Sequence, residues 1–241
     1  GKFSIGMGDR FAHQGVAQLS AVMKANQKGL DICPVWNKSN REHIYVHTHP
    51  ADVRKEADAA VAKLGYKGLY FVDADHINLT TVAPFVETAD FFTLDVAAFI
   101  GKPSSEEEVN KFVDSCGKYI GELKVPGIEH AIPVTKELLV EIASKFLAAT
   151  QQASEIYKYL VEKKGAGNFV TEVSMDEVES PQTPVYMFFI LKMLADKGVP
   201  AQTIAPKFTG RFNKGVDYRG DLVQFAKEFE EDVLVIDYAI K

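Results

Sequence analysis

The amino-acid sequence predicts an α/β fold: a (β/α)8 barrel of the TIM type, incomplete, with about six β/α units and a helical insertion after the fourth strand. Three observations lead there. Six apolar segments read as strands, at 3–7, 30–36, 69–73, 91–95, 169–173 and 203–208, and several are continuous runs, as strands covered on both faces require. Helical segments lie between them, and their ends recur as Lys-Gly, at Lys28-Gly29, Lys67-Gly68, Lys164-Gly165 and Lys197-Gly198. Glycine takes the left-handed position after a helix at low cost, and lysine suits the negative end of the helix dipole. Finally, 241 residues suffice for one sizeable core, and residues 1–241 are read as a single partial barrel domain. Eight units with an insertion would exceed the roughly 250 residues of an ordinary barrel. Strand count alone is equally compatible with an open doubly wound sheet.

Each element has its own warrant. Strand 3–7 runs into Gly8-Asp9-Arg10, strand 30–36 into Asn37-Lys38-Ser39, and strand 69–73 into Ala74-Asp75-His76. Between 105 and 123 the apolar residues Val109, Phe112, Val113, Cys116, Tyr119, Ile120 and Leu123 fall on one helical face. Ser104 with Glu107 has the spacing of a capping box. A second stripe, Leu139, Ile142, Phe146, Ala149, Ala153, Ile156 and Leu160, predicts a long helix over 135–162. These two helices form the insertion, about 104–165. Segment 184–196 is apolar nearly all round, which predicts deep burial. The chain opens on Gly1 almost directly into a strand, and the apolar run Val233-Leu234-Val235-Ile236 is followed by five residues, so both ends are expected to be trimmed.

Composition narrows the function. The formal net charge of -6 argues against non-specific nucleic-acid binding, which needs a basic face. Two cysteines far apart make no disulfide framework and suit a reducing, cytoplasmic setting. There is no apolar run of about 18 residues to span a membrane and no signal peptide. Gly6-Met7-Gly8 lacks the third glycine of a dinucleotide loop, and no Walker A loop occurs. The expected partner is a small molecule, with no nucleic acid and no membrane; self-association through an unpaired barrel edge stays open.

Chemistry in parallel α/β folds sits at the C-terminal ends of the strands. Here those ends are polar. Asp73-Ala74-Asp75-His76 combines an imidazole with carboxylates, the donors of Zn²⁺, Mn²⁺ or a similar divalent ion; the alternative is a turn in which Asp75 caps a helix near Asn78. Glu172 lies in an apolar run, where a carboxylate is costly unless paired or metal-bound. Ser174 and Asp176 share its face by period two. Asp9 and Arg10 could pair with each other or serve a helix N-terminus. Asn37, Lys38 and Arg41 could hold a carboxylate, Arg by bidentate bonding and Lys as a point charge, or form a solvated loop. Lys207 stands at the sixth strand. His47-Thr48-His49 precedes Pro50 at a helix start and reads as an exposed loop.

Taken in order, Gly8-Asp9-Arg10-Phe11, Pro34-Val35-Trp36-Asn37-Lys38-Ser39, Val72-Asp73-Ala74-Asp75-His76, Glu172-Val173-Ser174-Met175-Asp176-Glu177 and residues 214–222 resemble the tagaturonate/fructuronate epimerase family of hexuronate catabolism. The resemblance runs along essentially the whole chain. It implies a barrel, a divalent metal and interconversion of the sugar acids D-tagaturonate and D-fructuronate. It also implies that His76 and Glu172 are metal ligands. A further His-Ser-Gly-Ser-Asp-Lys segment of that family does not occur before the chain stops, so a ligand and substrate contacts are expected beyond it. The two sugars differ at the hydroxyl-bearing carbon β to the ketone, whose C–H the carbonyl does not acidify. Without a nicotinamide site, the expected route is retro-aldol cleavage, rotation and re-addition. Asp75, Asp176 and Asp9 are the candidate bases; Arg10, Asn37, Lys38 and Lys207 the candidate substrate-binding residues. A ketose–aldose isomerase on the same fold, or a non-catalytic sugar-acid-binding fragment, remain the competing readings.

Overall fold

The computed structural model describes residues 3–176, 181–213 and 216–241. In chain order the elements are β1 (Phe3–Gly8), α1 (Gly15–Gln27), β2 (Ile32–Ser39), α2 (Asn40–Val46), α3 (Pro50–Leu64), β3 (Phe71–Ile77), β4 (Phe91–Asp95), α4 (Glu106–Ser115), β5 (Gly121–Leu123), β6 (Ile132–Val134), α5 (Lys136–Lys164), β7 (Val170–Ser174), α6 (Pro184–Asp196), β8 (Thr203–Ala205) and α7 (Leu222–Ile240). The main sheet has the order β1-β2-β3-β4-β7-β8. Its first three pairings are parallel. Consecutive strands are neighbours, as in six units of an incomplete (β/α)8 barrel, and the insertion between β4 and β7 carries its own antiparallel pair, β5 with β6.

Two compact units make up the chain. The first comprises Gly1–Asp95 with Ile156–Glu172. Its core is built where β1, β2 and β3 meet α1 and α3: Met7, Trp36 and Val72 from the strands pack with Leu19, Val22, Val53, Ala57 and Ala60 from the helices. Burying the methionine, leucine and valine side chains stabilises by about 1.5–3 kcal/mol each. Trp36 satisfies its indole N–H on Gln18 Oε1 at 3.0 Å, so the ring can be buried without an orphaned donor.

The second unit comprises Val96–Glu155 with Val173–Lys241. Its centre is α6, where Val185, Met187, Phe188, Phe189, Ile190, Met193 and Leu194 are all buried. Phe188 and Phe189 pack edge-on against each other and against Tyr119, and Phe189 also meets Phe112 of α4.

Several boundaries differ from the sequence reading, each for a local reason. The helix expected over 105–123 stops at Ser115, because residues 121–123 leave it to pair with β6. Its capping box is Ser105 with Glu108, one residue on from the expected pair. Residues 40–46, read as part of a loop, form α2, started by a Ser39–Glu42 capping box. Helix α3 ends before Lys67-Gly68, at Gly65 with φ 59°. Strand β8 covers 203–205 only. The apolar run at 233–236 belongs to α7, whose N-terminus Asp221 caps by accepting from Val223 N and Gln224 N.

Candidate active site at the strand ends

Strand β3 runs to Ile77, four residues beyond the expected end, so Asp75 and His76 lie within it and not in a following turn. The register with β4 shifts between Ala74 and Ile77. The irregularity falls where His76 adopts φ +52°, a left-handed conformation that a non-glycine residue holds at a cost of about 1–3 kcal/mol. Bulges of this kind re-aim a side chain locally. The ring has Asp75 on one side, Nε2 to Oδ1 3.8 Å, and Asp95 on the other, Nδ1 to Oδ2 3.7 Å.

A second group lies alongside. In the parallel register Gly8, Asn37 and Asp73 are neighbours across β1, β2 and β3. Asn37 fits there because position 8 is glycine; a Cβ at Gly8 would stand 3.2 Å from Asn37 Oδ1. Asp73 is 5% exposed. Its Oδ1 accepts from Thr93 N at 3.1 Å, and its Oδ2 is 2.9 Å from Thr93 Oγ1. The same hydroxyl oxygen is 3.4 Å from Glu172 Oε1. Burial, with Asp75 close by, holds the Asp73 carboxyl well above the usual carboxylate range; Thr93 opposes the shift and Glu172 adds to it. The first unit thus gathers Asp73, Asp75, His76, Thr93, Asp95 and Glu172 from β3, β4 and β7.

The other sequence-selected residues sit elsewhere. Asp9 organises the turn before α1, accepting from Phe11 N (3.1 Å), His13 N (2.6 Å) and Gln14 N (2.7 Å). Although partial burial acts against them, these backbone bonds hold its carboxyl below the ordinary value. Arg10 is half-exposed and pairs with Glu42 at 3.6 Å. Lys38 shares the face of β2 that carries Trp36 into the helix-side core, opposite Asn37. Its buried ammonium donates to Thr48 Oγ1 at 2.9 Å. The same hydroxyl oxygen lies 3.0 Å from His43 Nδ1. Burial, and then the Lys38 charge, push the His43 pKa down to about 4, so its ring is neutral. In the second unit Asp176 accepts from the Ser174 hydroxyl at 2.8 Å, and the Lys207 backbone N–H donates to Gln182 Oε1 at 2.5 Å. Glu177 lies outside the described residues.

Among the described residues, no group of three or more His, Cys, Asp or Glu side chains stands where it would hold a metal ion. Imidazole and carboxylate are the right donor types for a divalent cation, but they do not form a full ligand set here. Sequence reasoning passed over Thr93, which the period-two step back from Asp95 would have found, and the Lys38–Thr48–His43 chain, which depends on α2 folding back over β2.

A family model described as tagaturonate epimerase matches residues 1–239. The tagaturonate/fructuronate epimerase of Thermotoga maritima is 29% identical over 239 residues, 94% of this chain and 48% of that protein. The native crystal structure of fructuronate-tagaturonate epimerase from Cohnella laeviribosi superposes with a TM-score of 0.79 at 26% identity, and its form with two glycerols with 0.82 at 27%. Each match covers 98% of this chain and 50% of the other. The chain spans about half the length of the relatives it matches.

Proposed function

The chain belongs to the tagaturonate epimerase family, and on that premise we propose that it serves the interconversion of D-tagaturonate and D-fructuronate by retro-aldol cleavage and re-addition. The observation that carries this reading is the family match along residues 1–239, joined to a carboxyl-rich group at the strand ends. A carboxylate among Asp75, Asp176 and Asp9 takes the proton of the hydroxyl on the carbon β to the ketone. The bond between that carbon and its neighbour breaks, leaving an aldehyde and an enediolate. The aldehyde rotates, the bond re-forms on its other face, and the carboxyl returns the proton. Arg10 and Asn37 of the first unit are proposed to orient the sugar acid; Lys38 is set aside, because its ammonium is buried on the opposite face of β2 and bonded to Thr48.

His76 and Glu172 are the residues that would hold a divalent ion, Zn²⁺, Mn²⁺ or similar, and further donors would have to come from beyond the described residues. Such an ion polarises a ketone and stabilises the negative charge of cleavage. The two cysteines, free and buried, support a reducing, cytoplasmic setting.

The test is direct. The chain, and a version carried to the length of its relatives, is incubated with D-fructuronate and Mn²⁺, Zn²⁺ or neither, and D-tagaturonate is followed by NMR. Metal-dependent product supports the reading; none from either version, folded and metal-loaded, overturns it. Deuterium placed on the inverted carbon stays there in a retro-aldol reaction, and its loss to solvent would exclude that route.

A further inference from the structure

Between β8 and α7 the chain sets two of its five arginines, Arg211 and Arg219, opposite each other in an antiparallel bridge. Arg211 N donates to Arg219 O at 2.8 Å, and Arg219 N to Arg211 O at 3.2 Å. Residues that exchange both bonds in this way carry their side chains on one face, with Cβ atoms about 4.5–5.5 Å apart. Like charges so placed repel. Elsewhere arginine meets carboxylate: Arg10 pairs with Glu42, and Arg54 with Asp58 and Asp90. Arg211 and Arg219 are exposed, and among the described residues neither forms an ion pair. Asp217, two residues before Arg219, is exposed and makes no ion pair there either. Asp221 is engaged at the start of α7, accepting from Val223 N and Gln224 N.

The backbone under the pair is anchored. Thr209 N donates to Glu228 Oε2 of α7 at 2.8 Å, and the Tyr218 hydroxyl donates to Thr209 O at 2.8 Å. The Tyr218 ring packs on Phe212 and on Phe225 of α7, with centroids 4.8 and 5.5 Å apart. Gly210 and Gly220, each beside one of the arginines, leave room for that hydroxyl; a Cβ at either would collide with it. Both sides of the bridge are thus tied to one helix.

We propose that Arg211 and Arg219 together form a binding site for a carboxylate group, of the kind a sugar acid carries. A guanidinium is planar and offers paired N–H donors that match the two oxygens of a carboxylate. An anion held between the two cations also removes their repulsion. The choice of a sugar acid rests on the reading above; the site itself rests on the bridge and does not require the reaction.

The test follows the Nε–H signals of the two arginines by 15N NMR, assigned through their loss in Arg211→Lys and Arg219→Lys. D-Fructuronate, D-fructose or inorganic phosphate is added at constant ionic strength. D-Fructuronate is expected to shift both signals along one binding curve, and D-fructose, which lacks the carboxylate, to shift neither. In Arg211→Gln and Arg219→Gln the remaining signal is expected to respond with a Kd raised roughly 10-fold or more, the loss that follows when a hydrogen bond to a charged group is removed. A remaining signal that responds as in the parent overturns the proposal. So do signals that D-fructose moves as far, or that D-fructuronate does not move. A response to phosphate alone overturns the assignment to a carboxylate. A chain that binds D-fructuronate in this way but forms no D-tagaturonate sinks the proposed reaction and leaves this site standing.

Discussion

At the scale of single residues, Asp73 is a group whose chemistry its surroundings alter. Burial, with Asp75 nearby, raises its folded-state pKa well above the ordinary aspartate value. The protonated form is therefore favoured by folding, and ionisation opposes it. The sign follows: stability is highest at and below the ordinary aspartate value and declines as pH rises from there through the folded pKa. Asp73→Asn removes this dependence. Thermal melts between pH 4 and 8 are expected to show the variant gaining on the parent as pH rises; parallel curves would mean that Asp73 titrates as an ordinary aspartate. Asp232 on α7 follows the same logic at a defined place. It is buried, Oδ2 has no hydrogen-bond partner among the described residues, and burial with Glu228 and Glu231 nearby pushes its pKa up to about 7. Asp232→Asn is expected to gain on the parent between pH 4 and 7 and to hold a constant advantage above that.

At the scale of elements, β3 and α2 carry the consequences. The left-handed backbone at His76 is held against a steric cost that glycine does not pay. His76→Gly is therefore expected to be more stable than His76→Ala by about 1 kcal/mol, read from denaturant midpoints. Equal midpoints would mean that the bulge relaxes once the ring is gone. Helix α2 has only seven residues and depends on its start, where Ser39 accepts from Glu42 N and Glu42 reaches back to Ser39 N. Ser39→Ala is expected to cost about 1 kcal/mol. Because α2 carries His43, the 15N shifts of that ring report the loss directly. The sequence made Ser39 visible as part of a polar stretch, but the chain from Lys38 through Thr48 to His43 exists only when α2 turns back along β2.

At the scale of the whole molecule, stability and self-association are the measurable properties. Phe189 of α6 is fully buried against Phe112, Tyr119 and Phe188. Phe189→Ala is expected to cost about 3–5 kcal/mol in chemical denaturation, whereas an exposed aromatic such as Phe11, 62% accessible, should cost little when removed. Strand β1 pairs on one side with β2 and exposes Phe3 and Ile5. Such an edge invites another strand. Size-exclusion chromatography across a concentration series is expected to show association that Ile5→Lys suppresses; a concentration-independent monomer would contradict it.

The sequence by itself determined the alternation of strands and helices, the place of the insertion, the buried character of α6, and the family. Those features rest on periodicity and on ordered motifs, which are written along the chain. Three of the four Lys-Gly helix ends stand where the reading put them, at Gly29, Gly165 and Gly198, because a left-handed stop after a helix is a local property. What only the tertiary structure decided is which polar residues meet. Asn37 and Lys38 are adjacent in sequence, yet a strand sends them to opposite faces, one beside Asp73 and the other beneath Thr48. Thr93 and Glu172 are separated by the whole insertion and touch because β4 and β7 are neighbours. Strand pairing brings distant residues into register, and burial then sets their protonation. Neither property is local, so neither could be read from the chain alone.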